Sequence, residues 1–201
     1  MEDLVTMWFD KDGVLAVYDY SLYESECDLP APWLIRNAHV FRNLEAYKNM
    51  CQAFSSLYKE NANKSIRERR CDVRVLTAVS DSATLSEQVI DSAYWCEKYL
   101  GLKAKDFYAC AVSKETVPIT LRNRITRKDV LFDDYMPNLR KWKEAGGTAI
   151  KVINGINSGT TEFPFIFNGE STSYLYKTFH LIIDTLDRGE ELACGEILNR
   201  K

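Results

Sequence analysis

The 201 residues carry 46% hydrophobic and 12% aromatic side chains, enough to bury a sizeable core, which excludes a disordered chain. A net charge of -3 excludes a basic nucleic-acid scaffold, and two histidines, His39 and His180, are too few for a zinc site. Six cysteines (27, 51, 71, 96, 110 and 194) form no CxxC pair, and Met1-Glu2-Asp3 opens acidic rather than as a signal peptide. The expectation is a soluble, cytosolic domain with reduced thiols and no membrane span, since Lys177, His180 and Asp184 interrupt the longest apolar stretch.

Leu4 to Phe9 reads as a first strand that ends in Asp10-Lys11-Asp12-Gly13. If the strand continued, the i, i+2 spacing would send both carboxylates to one face, and Gly13 lets the chain turn away. Residues 16–70 change character, with prolines 30 and 32 and then a helical stripe of Phe41, Leu44, Tyr47, Met50, Cys51, Phe54 and Tyr58. This stretch is expected to be a small helical cap inserted after the first strand. Arg67, Arg69, Arg70 and Arg74 read as a solvated linker. Cys71 to Leu76 is a second strand with Thr77 at its end, followed by a helix to Tyr99 that stops at Gly101. Phe107 to Val112 is a third strand, followed by Ser113-Lys114 and a short helix within 115–127 that has Pro118 in its first turn. Val130 to Phe132 is a fourth strand ending in Asp133-Asp134, and a helix from Pro137 runs to Gly146-Gly147. Thr148 to Ile153 is a fifth strand, and 171–188 a last helix. Alternation of this kind predicts an α/β architecture: a Rossmann-like parallel sheet flanked by helices, with 1–15 and 71–201 as the core domain and 16–70 as the cap.

In such a sheet every polar signal falls after a strand, at one common edge. Singly, Thr77 could cap a helix, Lys114 could be a surface lysine, and Asp133 or Asp134 could be an N-cap. Together they fit phosphoryl transfer. A carboxylate can attack phosphorus, and a carboxylic acid can protonate the leaving oxygen. A hydroxyl and an ammonium can hold the equatorial oxygens, and a hard cation such as Mg²⁺ wants carboxylate oxygens.

Asp10-Lys11-Asp12-Gly13-Val14-Leu15, Thr77, Lys114 and Asp133-Asp134 resemble the four motifs of the haloacid dehalogenase-like phosphatases. The stretches Asp12 to Ala16 and Leu131 to Tyr135, with Asn138-Leu139, Trp142, Gly146-Gly147, Ala149-Ile150-Lys151 and Asn154 to Asn157, are similar to the 5'(3')-deoxyribonucleotidase family, especially its bacterial and phage members. That resemblance implies Asp10 as nucleophile and Asp12 as general acid and then base. Thr77 and Lys114 would bind and neutralise the phosphoryl group, with Lys128 as the rival lysine. Mg²⁺ would be held by Asp10, the Asp12 carbonyl, Asp133 and Asp134, with the inner ligand of the last two undecided. The implied partner is a small phosphomonoester, a deoxynucleotide, and neither a nucleic-acid polymer nor a membrane; a homodimer is left open. Tyr18, Trp33, Phe41 and Tyr47 are the aromatics available for a base, and Trp33, in a Pro-flanked loop, is the least core-like of them. A phosphatase of another small ester, or a silent binding protein on the same fold, are the competing readings.

Overall fold

The computed structural model describes residues 4–18, 39–65, 67–79, 85–156 and 161–197. In chain order the elements are β1 (Val5–Phe9), α1 (Val40–Asn43), α2 (Lys48–Ala62), β2 (Cys71–Ala78), α3 (Leu85–Leu100), β3 (Phe107–Cys110) and α4 (Thr116–Arg122). They continue with β4 (Asp129–Asp133), α5 (Met136–Glu144), β5 (Thr148–Ile153), β6 (Pro164–Phe167), α6 (Thr172–Asp187) and β7 (Gly195–Glu196). Among the described residues the strands form one sheet in the order β3-β2-β1-β4-β5-β6-β7, and every pair is parallel. This is the α/β, Rossmann-like arrangement that the alternation predicts, with two short strands, β6 and β7, added at one side.

Strands β1 and β4 are buried along their whole length, as expected for parallel strands covered on both faces. The two-residue period sorts their side chains. Phe9 points to the face covered by α2 and α6, stacked on Phe132 at 4.3 Å between centroids and edge-on to Phe54 and Phe179. Trp8 points the other way, toward Tyr108 and the α5 residue Trp142. Leu139 and Trp142 of α5 complete that second core, while α2, α3 and α6 pack into the first.

The stripe expected over Phe41 to Tyr58 is broken: Phe41 lies in the four-residue α1, Leu44 and Tyr47 fall in the extended link after it, and only Met50, Cys51, Phe54 and Tyr58 belong to α2, whose apolar face lies on the sheet and against α6. The stretch 16–70 therefore contributes a helix to the body of the sheet. Residues 19–38, Trp33 among them, lie outside the described residues. Three of the four arginines read as a solvated linker are paired: Arg69 and Arg74 with Asp72, and Arg70 with Asp184. The five described cysteines are free, and burial pushes the thiols of Cys51 and Cys71 up to about 12. No helix among the described residues is long and apolar enough to cross a membrane.

Candidate active site

β1 is the topological switch point, because the chain proceeds outward to β2 and β3 on one side and to β4, β5, β6 and β7 on the other. A crevice opens beyond the strand ends at such a point. Asp10 enters it directly after β1, its backbone N–H donating to the Phe132 carbonyl at 2.9 Å. Asp133 closes β4, and Asp134 follows. One carboxylate oxygen from each of Asp10, Asp133 and Asp134 lies within 4.8 Å of the other two, and all three residues are buried. Lys114, reaching in from beyond β3, sets its Nζ 2.7 Å from Asp10 Oδ1 and 2.7 Å from Asp133 Oδ2.

Each acid is held from behind. Asp133 accepts from the Tyr135 backbone N–H at 2.8 Å and from Asn138 Nδ2 at 3.0 Å. Asn154 Nδ2 donates both to Asp134 Oδ2 (2.8 Å) and to the Gly13 carbonyl (3.0 Å), tying the first acidic loop to the last. Lys151, buried on β5, donates from Nζ to the Asp134 carbonyl. Burial lowers the Lys151 pKa, with Asp134 and Asp133 opposing.

The electrostatics follow from crowding. Burial pushes the Asp10 carboxyl well above its ordinary range; Lys114 opposes this, while Asp133, Asp12 and Asp134 add to it. Burial alone would lower the Lys114 pKa, but Asp10 and Asp133 outweigh it and raise it above the ordinary lysine value. Of these three clustered carboxylates, Asp10 and Asp133 share the Lys114 ammonium. Hard oxygen donors in that arrangement suit a divalent cation such as Mg²⁺.

Asp12 is turned elsewhere. Its Oδ1 meets Lys11 Nζ at 2.5 Å, and Thr77 Oγ1 approaches Oδ2 at 3.5 Å, the outer limit of a hydrogen bond. β1 has already ended at Phe9, so the two carboxylates do not share one strand face; they occupy adjacent parts of one crevice.

Gly13 makes this closeness possible. Its φ is +86°, and a Cβ at that position would collide with the Asp134 carboxylate. Gly155 has a similar φ of +82°, but a Cβ there would meet nothing within 4 Å, so it separates backbone strain from collision. Gly13→Ala is expected to cost more than Gly155→Ala in urea unfolding, by about 1–3 kcal/mol, and to weaken Mg²⁺ binding. Equal losses at the two positions would show that Asp134 yields freely.

Six residues singled out from sequence (Asp10, Asp12, Thr77, Lys114, Asp133 and Asp134) thus come together at the crevice. Lys128 does not: it precedes β4 and pairs with Asp187 at the opposite end of that strand, 3.0 Å away. Tyr18 and Phe41 stack on each other, and Tyr47 is half-buried. Lys11, Asn138, Lys151 and Asn154 had no role assigned from sequence. The signal for Lys11 was a lysine locked between two acids at the end of a largely apolar strand.

No family model matches the sequence, and neither does any curated protein. Solved structures do resemble it. A D,D-heptose 1,7-bisphosphate phosphatase from B. bronchiseptica, solved with magnesium and phosphate, superposes with a TM-score of 0.54 over 88% of this chain and 98% of its own, at 12% identity. A haloacid dehalogenase-like family hydrolase from Xanthomonas campestris gives 0.56 over 92% and 98%, at 8% identity. A hydrolase from Pseudomonas syringae gives 0.51 over 89% and 98%, at 13% identity. The chain has the fold of the haloacid dehalogenase-like hydrolases.

Proposed function

We propose that this chain is a Mg²⁺-dependent phosphomonoester hydrolase acting through an aspartyl-phosphate on Asp10. The observation that carries the reading is the Lys114 ammonium set between Asp10 and Asp133, with Asp134 beside them, at the switch point of the sheet. Asp10 attacks phosphorus, and the bond to the leaving oxygen breaks as Asp12 gives that oxygen a proton. Water then attacks the same phosphorus, loses a proton to Asp12, and frees Asp10. Thr77 and Lys114 hold the equatorial oxygens, where transition-state charge gathers. Asp10, Asp133, Asp134 and the Asp12 carbonyl would hold Mg²⁺. When bound, it supplies positive charge that lets the phosphate approach a cluster of acids.

The proposed substrate is a deoxynucleoside monophosphate, on the strength of the motif resemblance around Asp12 to Ala16 and Leu131 to Asn157. The second reading is another small ester, such as a sugar phosphate, favoured by the likeness to heptose bisphosphate phosphatases. Phosphate release from a panel of nucleoside monophosphates and sugar phosphates separates the two. Chelation is expected to abolish release and Mg²⁺ to restore it. At a hundredfold excess over its Kd, Mg²⁺ should also stabilise the protein by about 2.7 kcal/mol in thermal unfolding. Undiminished turnover after exhaustive chelation would overturn the metal assignment.

A further inference from the structure

Lys11 is completely buried, although lysine is among the residues least often found inside. A buried ammonium has to be paired. Its one carboxylate contact among the described residues is Asp12 Oδ1 at 2.5 Å, and it also lies 5.1 Å from the centroid of Phe41 and 5.6 Å from that of Trp95. The two aromatic walls are anchored. Trp95 Nε1 donates to the Leu44 carbonyl at 2.8 Å, and buried Asp91 on α3 pairs with both His39 and Arg42 around α1 at 3.1 Å. Lys11 therefore sits in a braced aromatic cage, with Asp12 its one acidic outlet among the described residues.

We propose that Lys11 is a positioning residue for proton transfer, selecting which oxygen of Asp12 exchanges the proton. The inference rests on the phosphatase reading above. An ammonium has three donors and no acceptor, so Oδ1 must remain an acceptor toward it. The Asp12 proton is then confined to Oδ2, the oxygen that faces Thr77. Thr77 stands at the end of β2, where the phosphoryl group would lie. In the first half-reaction the Asp10–phosphorus bond forms, the phosphorus–leaving-oxygen bond breaks, and the Oδ2 proton passes to the leaving oxygen. In the second, water's oxygen bonds to phosphorus, its proton returns to Oδ2, and the Asp10–phosphorus bond breaks.

The consequence is a dependence on the leaving group. An alkoxide needs the proton; p-nitrophenolate leaves without it. In the full chain with Mg²⁺, Lys11→Met should lower kcat/KM about 10- to 100-fold on the best alkyl phosphate of the panel, part of the ~10²–10⁴ a general acid supplies. On p-nitrophenyl phosphate the loss should stay below about threefold. Lys11→Arg, a donor-only cation, should recover the alkyl ester preferentially. Added to Asp12→Asn, Lys11→Met should bring no further loss on the alkyl ester, because both changes remove one function. If Lys11→Met does not fold, Phe41→Leu, which opens one wall of the cage, should give the same bias toward p-nitrophenyl phosphate. Equal losses on both esters, or losses that multiply with Asp12→Asn, would overturn the inference and leave the phosphatase reading standing. A wild type that releases phosphate from neither ester would overturn that reading, and the inference with it.

Discussion

Asp10→Asn is expected to remove turnover almost entirely, by about 10⁴-fold or more, and to leave the protein folded. The amide keeps the size and one acceptor oxygen of the carboxylate, so Lys114 retains a partner at that position, but it cannot form an acyl phosphate. The stability side is equally specific. Asp10 is buried and crowded by Asp133, Asp12 and Asp134, so a neutral side chain relieves repulsion while weakening one contact to Lys114. Those terms oppose each other, and the net change should stay within about 1–2 kcal/mol. Phosphate release and thermal unfolding on the same preparation check both halves. Near-normal release from a folded Asp10→Asn protein would end the aspartyl-phosphate mechanism.

Lys114→Met should be as inactive and, unlike Asp10→Asn, strongly destabilised. Methionine fills much of the space of the lysine stem, so the loss is one of charge. Two buried carboxylates lose the ammonium that lies 2.7 Å from each of them. Breaking a buried pair from one side costs about 3–5 kcal/mol. The sign of the pH dependence is fixed by Asp10, whose folded pKa is already raised by burial. A carboxyl with a raised folded pKa binds its proton more tightly when folded, so the stability it confers is present at low pH and is lost as pH rises. Without Lys114 opposing it, that shift grows. The gap between variant and wild type should therefore be wider at pH 8 than at pH 5, and Mg²⁺ should narrow it. Urea unfolding at both pH values measures this, and a gap that does not change with pH would mean that the carboxylates are not the source of the loss.

The strand ends were readable because the first four strands are short segments, largely apolar or, in β2, apolar at alternate positions, each with a polar residue at or near its end: Asp10, Thr77, Lys114 beyond β3, and Asp133. A parallel sheet then gathers what the sequence scatters over more than 120 residues. β6 and β7 were not readable, for a physical reason: four residues beginning at Pro164, and two at Gly195–Glu196, are too short to show a period. The stripe on α2 revealed an apolar face but not its neighbour, and the same spacing suits a cap or a layer on the sheet. The role of Lys11 needs Phe41 and Trp95, which lie 30 and 84 positions further along and converge on it only in three dimensions. Asn154 read as half of an Asn-Gly turn. It does bend there, since its Oδ1 accepts from the Ile156 N–H, and the same side chain also fastens Asp134 to the Gly13 loop.

The position of β1 has a consequence for biosynthesis. Its neighbours are β2, beginning at Cys71, and β4, beginning at Asp129, so both edges of Val5–Phe9 stay unpaired until those segments have been translated. At about 5–20 residues per second, the interval from Phe9 to Asp129 is roughly 6–24 s. Through that interval the nascent chain carries Val-Thr-Met-Trp-Phe, a β-prone and uncharged segment, with at least its β4-side edge open to unwanted pairing. Asp10, Lys11 and Asp12 follow it immediately and place three charges at its end, where charged gatekeepers best discourage aggregation. The acids proposed to attack phosphate and to bind metal in the finished protein would thus also keep its central strand soluble while it waits.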